Sequence, residues 1–591
     1  MHRSIPSWTF IGALALAACA NPEEPDDMRS DAGVRDAGTE RDAGEEETPR
    51  DGGPRDGGDV TRDGGPRDGG AERDGGPDRD GGPRVVDIVV AYTAGADAPL
   101  LADLFLTESS TTRYRVTPQL AGGPTTGGKG EPVFAGVDSF EWTRDGEIIY
   151  VAQQETFDLY EIFLAPQPGN PITTKLSNPG MDRQARSYAL SPSGTMMTFG
   201  QAVEGEAGTR RFVVPVAVGA QPIRLSMGTS SFPFWRGDDG IAYQDIIVSA
   251  NDRDLWFSDL TMDPPPRTRL HSGANLGFTG TSASFSADGQ YIVFSADDGA
   301  LRVFQPYRVT FTGNTPSAPE PVYANYPSTA DIIGIDTIKF APTGTMVAFM
   351  GDIDTDGTDE LYVFDASATL PLTPTRLTTD FPAGHNGVDR FQWNAAGTHI
   401  LFAADYDVDG RYDLYLTDIN GANGVRINTP VTASDTVDHE RLIHGEDRIL
   451  YTRYDGNERR VKLVDISTTP FGAPVDLGPG SRFSFDTPYE LSPSEDWMIH
   501  ATSDDPPRLY LTDLRAQTPT TSTVLSSIGD LGFDSYGKWC WAQDDRLLIV
   551  RTDGQLGLVE DFTSSDTFVV SGPLADGSRV TACAFPPNIQ K

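Results

Sequence analysis

The stretch ADYDVDGRYDLYLTD (404–418) places Asp405, Asp407, Asp409 and Asp413 at positions one, three, five and nine of a loop, with Gly410 at position six. The stretch GDIDTDGTDELYVFD (351–365) repeats the pattern with Asp352, Asp354, Asp356, Gly357 and Glu360. Both read DxDxDGxx[DE]. Calcium takes six to eight oxygen ligands; alternate carboxylates converge on it when the chain coils tightly, glycine permits the sharp turn, and a carbonyl near position seven adds an oxygen. Four carboxylates brought together without a cation repel one another. These eight residues are therefore read as ligands of structural Ca2+. The competing reading is a plain Asp-Gly turn that reverses the chain between two strands. Shorter versions at SADDGALRVF (295–304) and YDGNERRVKL (454–463) lack the full ligand set.

Other chemistry leaves few marks. The chain has no GxSxG nucleophile elbow and no HExxH or clustered His/Cys ligands. Of seven histidines, His439 and His444 lie close together in VDHERLIHGED, and His385 sits in FPAGHNGVD. A lone loop histidine is more often solvated or hydrogen-bonded than catalytic, so no catalytic residue is assigned. Three cysteines occur, Cys19, Cys540 and Cys583. Cys540 immediately precedes Trp541 and Cys583 lies two before Phe585, so pleat alternation aims them at different faces. Both a disulfide between them, in an oxidising compartment, and two buried thiols stay open.

The formal charge of -40, from 86 acidic against 46 basic residues, disfavours nucleic acid and anionic lipid and favours cations and basic partners. The chain begins MHRSIPSWTFIGALALAACA: a short basic region, an apolar run too short to span a bilayer, then Leu16-Ala17-Ala18-Cys19. This resembles a bacterial lipoprotein signal peptide. The resemblance implies export and lipid on Cys19, and Ala20 after the cysteine implies the outer membrane, facing the periplasm or the cell surface. Residues 22–84 repeat RDGG at Arg50, Arg55, Arg62, Arg67, Arg73 and Arg79. With almost no apolar side chains, such a segment cannot offset the entropy of ordering and reads as a disordered tether. As a flexible coil it reaches roughly 40 to 45 Å.

From Val85 onward the texture changes to short strands separated by Gly, Asp, Asn and Pro turns. An apolar residue, a polar turn and an apolar strand recur as FEWTRDGEIIYV (140–151), YALSPSGTMMTF (188–199), ASFSADGQYIVF (283–294), IKFAPTGTMVAF (338–349), FQWNAAGTHILF (391–402) and YELSPSEDWMIH (489–500). LWFSD, LYVFD, LYLTD and LYLTD follow at 255, 361, 414 and 509. The anchors Trp142, Leu190, Trp235, Phe285, Phe340, Trp393, Leu442, Leu491, Trp541 and Phe585 stand 44 to 55 residues apart. That period suits a β-propeller blade, a small two-faced sheet that buries its faces against its neighbours. The anchor aromatics read as core between blades.

These repeats look like the TolB-type (PD40, WD40-like) propeller repeat, over nearly all of 85–587. The DxDxDGxx[DE] loops resemble the calcium loops on integrin α-subunit propeller blades. The fold expected is all-β, a propeller of about ten four-stranded units. RVTACAFPPN (579–588) offers only an innermost strand and residues 86–120 offer three more, so strands from both ends close the ring. Ten units exceed the usual four to eight blades, which leaves one wide ring or two rings open, with one ring preferred. The domains expected are a signal peptide (1–18), a tether (19–84) and the propeller (85–591). The function expected is a non-enzymatic, lipid-anchored envelope scaffold that binds a protein or glycan, with calcium-stabilised loops. The alternative is a propeller hydrolase or polysaccharide lyase with its site in the central funnel.

Overall fold

The computed structural model describes most of residues 87–584. Residues 1–86 and 585–591 lie outside the described residues, as do several segments between strands, the longest being 272–282, 327–336, 481–488, 526–538 and 570–579. Cys19, the tether and His444 fall there. The described residues all belong to one compact unit.

Among the described residues every element is a strand, and the propeller comprises nine blade sheets. Eight are separate antiparallel sheets of four or five strands, spanning 188–224, 229–271, 283–321, 338–376, 388–426, 436–476, 490–525 and 539–569. The remaining sheet has eight strands and contains two four-stranded units. One is blade one, residues 135–175. The other is the closing unit, in which Val580–Ala584 pairs with Asp87–Ala94, with Tyr92 opposite Cys583, and Leu101–Ser109 and Thr112–Arg115 follow. A short parallel pairing of Leu101 with Ala135 and of Ala102 with Gly136 joins the two units. Strands from both ends thus complete one unit, and the ten repeats of the sequence occupy nine sheets. Blades two to nine follow in chain order.

Middle strands of blade one are buried on both faces. Ile148–Ala152 and Glu161–Ala165 are buried throughout, because sheets stand on either side of them. Apolar clusters link the closing unit to blade one, blade one to blade two, and so on to blade nine. Cys540 and Cys583 are bonded across the last junction, their Cα atoms 5.9 Å apart. The circuit is complete, so the propeller is one ring. A one-residue register offset does not separate the two sulfurs: the cysteines sit in different sheets, and stacked sheets meet by opposite faces.

Two further devices recur. The second and third strands hold an aromatic pair in register, as in Tyr150–Phe163, Phe199–Phe212, Phe294–Tyr307, Phe349–Tyr362 and Phe402–Tyr415, ring centroids 5.4 to 5.9 Å apart. The turns between first and second strands are stitched blade to blade. Ser193 N donates to Asp238 (3.2 Å), Arg236 to Gly289 O (2.6 Å), Thr343 to Ala396 O (2.9 Å), Asn394 to Glu446 (2.7 Å) and Ser494 N to Asp545 (3.1 Å). Two anchor indoles also cross between units: Trp142 Nε1 donates to Ala584 O and Trp393 Nε1 to Lys339 O.

Candidate functional site

The two acidic stretches form the hairpins between second and third strands of blades five and six. In blade six, His399–Val408 and Arg411–Asp418 pair as far as Val408 opposite Arg411. Asp409 and Gly410 therefore make a two-residue turn, with Gly410 at φ 68°, where a side chain would be strained. The register shifts between Ala404 and Val408, which turns Asp405 inward to complete burial.

Asp405 is a backbone clamp. Its Oδ1 accepts from Gly387 N (2.8 Å), and its Oδ2 from Asn386 N (3.0 Å) and Gly410 N (2.9 Å). It thereby fastens the connector from blade five to its own turn. Asp245 of blade three does likewise, accepting from Met227 N (3.0 Å) and Gly228 N (2.7 Å). Asp409 accepts from the Asn386 side chain at 3.0 Å. Asp413, 1% exposed, accepts from Asn428 Nδ2 (2.7 Å) and Val431 N (2.9 Å). Arg426 of the outer strand contacts Asp407 and lies 3.6 Å from the second Asp413 oxygen.

Blade five repeats the scheme. Asp352 Oδ2 accepts from Gly357 N at 3.1 Å. Glu360, 0% exposed, accepts through Oε2 from Ile353 N (3.1 Å), Asp354 N (3.3 Å) and the Tyr362 hydroxyl (3.2 Å). Arg376 of the outer strand lies 3.2 Å from Asp354 and 3.7 Å from Glu360 Oε1. Asp356 stands exposed at the tip. Burial pushes the Glu360 and Asp413 carboxyls above the usual range, with the neighbouring arginine and hydrogen bonds opposing it.

The eight carboxylates thus lie on two matching hairpins, and all but the exposed Asp356 accept from protein donors. Among the described residues no group of three or more His, Cys, Asp or Glu side chains is placed to hold a metal. An arginine stands between the third and ninth positions of both loops, and in this arrangement the residues do not fit a calcium shell. Arg376 and Arg426 belong to a short outer-strand sequence that recurs as TKLS, IRLS, TRLH, TRLT and VRIN at 174, 223, 268, 375 and 425.

The histidines fall into structural places. His385 bonds through Nδ1 to Asp405 O, and its own carbonyl accepts from Thr358 Oγ1 at 2.9 Å, so it fastens the connector. His439 lies at a register shift of an innermost strand with φ 53°, its carbonyl accepting from Tyr489 at 2.6 Å. Burial holds its imidazole pKa down. On the innermost strands, Arg390 grips Glu440 with two bonds of 2.8 and 2.9 Å, and Trp539 donates to Glu490 at 2.6 Å.

Seven carboxylates face solvent on these hairpins, on the connector between them and at the start of the blade-six sheet. Asp354, Asp356, Asp359, Asp380, Asp389, Asp407 and Asp409 are all exposed. Backbone pairing of Asp359 with the connector at Asn386 and Val388, and the bond from Asn386 to Asp409, tie the two hairpins together.

No known protein family matches this sequence, and no curated protein does. Solved structures do show likeness. A prolyl endopeptidase structure aligns at 15% identity and TM-score 0.36, covering 65% of this chain and 54% of its own. Porphyromonas gingivalis dipeptidyl peptidase 4 aligns at 14% and 0.45, covering 71% and 64%. TolB from Acinetobacter baumannii aligns at 18% and 0.26, covering 58% and 79%. The chain spans about half the length of the prolyl endopeptidase it matches. These likenesses concern the propeller fold and carry no activity over to this chain.

Proposed function

We propose that the protein is a non-enzymatic scaffold of the bacterial cell envelope, anchored through lipid on Cys19 and held off the membrane by its tether. It binds a basic protein partner through the acidic hairpins of blades five and six. The observation that carries this reading is the set of seven exposed carboxylates on two hairpins whose connector is clamped by Asp405. Rigid backbone beneath a charged face lowers the ordering cost of binding, and the -40 chain charge steers a cationic partner towards it.

Funnel catalysis is less well supported, because the buried charged groups noted on the innermost strands are occupied with one another, as in Arg390 with Glu440. The test is a pull-down from envelope extracts, run with calcium and with chelator. A basic protein enriched under both conditions supports the reading. Failure to enrich any partner in either condition would sink it.

A further inference from the structure

The hairpins of blades five and six share a geometry that their sequences do not announce. In each, an arginine from the outer strand bridges the third and ninth positions of the DxDxDGxx[DE] pattern: Arg376 between Asp354 and Glu360, and Arg426 between Asp407 and Asp413. Each arginine stands opposite the aromatic residue two places beyond the ninth position, Tyr362 and Tyr415. Glu360 supplies a second, separate observation. It is wholly buried, and its Oε1 has no hydrogen-bond partner and faces Arg376 at 3.7 Å.

The same pairing exists where no calcium-loop sequence does. In blade one, Lys175, opposite Phe163, pairs with Glu161; in blade three, Arg269, opposite Trp256, lies 3.5 Å from Asp254. An acid near the start of the third strand and a base on the outer strand are therefore a recurring device of these blades. Blades five and six add further carboxylates around a cation already in place.

We propose that Arg376 and Arg426 are the resident cations of the two acidic hairpins, that they keep divalent ions out, and that removing either arginine leaves a calcium site behind. A guanidinium supplies one positive charge and planar donors to carboxylates that would otherwise repel one another. Its tether to the outer strand fixes that charge without any ion from solution. Without it, the loop keeps its first-position carboxylate folded over the glycine N–H and retains its remaining acidic oxygens, a set suited to a hard cation.

The test uses the whole folded propeller, calcium chloride with thermal melting, and terbium chloride with emission sensitised by Tyr362, Tyr406 and Tyr415. Wild type should melt at the same temperature in chelator and in calcium and give no sensitised emission. Arg376→Gln and Arg426→Gln should each melt lower in chelator, recover in calcium and gain terbium emission, which Asp354→Asn or Asp407→Asn should then remove. Arg→Lys at either site keeps a cation and should stay silent, so it carries the test where a Gln variant does not fold. Emission from wild type or the Lys variants that Asp409→Asn or Asp356→Asn abolishes would overturn the proposal. So would folded Gln variants that take up neither ion.

Discussion

His500 lies flat against Tyr510, ring centroids 5.4 Å apart and planes at 17°, in the cross-strand slot that an aromatic pair fills in five other blades. It is buried, and neither ring nitrogen has a hydrogen-bond partner.

Burial pulls the His500 pKa down to about 4. The unfolded chain then binds the proton more readily than the native state, so this group's contribution is complete above about pH 6.5 and is lost as pH falls towards about 4. The full span is worth at most about 3 kcal/mol. His500→Phe should raise stability under acid conditions and remove this slope, as read by denaturant melts across the acid range. An unchanged pH profile would contradict the assignment.

Glu490, ten residues earlier in the same blade, runs the opposite way. Burial raises its pKa to about 7, with the Trp539 bond opposing. The native state holds the proton more tightly, so this contribution is complete below about pH 4.5 and is lost as pH rises through about 7, again at most about 3 kcal/mol. Glu490→Gln should stabilise the propeller at neutral pH. Because the two titrations offset each other in the wild type, the single variants should show slopes of opposite sign. Parallel slopes would contradict both.

Arg390 and Glu440 join blades six and seven with both partners largely buried, and Arg390 also donates to Val437 O at 2.7 Å. Glu440→Ala removes two of the bonds to a buried guanidinium, which keeps the exposed Asp389 carboxylate at 2.6 Å, and should cost about 1 to 3 kcal/mol. A double-mutant cycle with Arg390→Met checks it: the second change should recover much of the loss. Simple additivity would show that the pair is not coupled.

The Cys540–Cys583 disulfide should stabilise the ring by about 2 to 4 kcal/mol, since it restrains the unfolded chain at the junction where the two ends meet. Cys540→Ser or Cys583→Ser should lower the melting temperature to that of the reduced wild type. Equal melting of oxidised and reduced protein would argue against such a clamp.

The propeller was legible because its anchor residues return at a near-constant period, and closure because the last unit held one strand and the first segment three. Pleat alternation does not keep Cys540 and Cys583 apart, because alternation sorts faces within one sheet and these residues sit in two. The acidic loops were legible as hairpins. Their counter-ions were not, since Arg376 and Arg426 lie a strand away in sequence and reach the carboxylates only once the outer strand docks. Asp405 is a similar case, since the N–H groups it accepts from belong to the connector from the preceding blade.

The acidic face is tested most directly by retention of envelope proteins on wild-type propeller and on the variant Asp354→Asn/Asp356→Asn/Asp407→Asn/Asp409→Asn, compared at low and high salt. A basic protein retained by wild type at low salt, released by salt and lost on the variant is the predicted result. Equal retention by both proteins, or retention indifferent to salt, would contradict a partner held by these carboxylates.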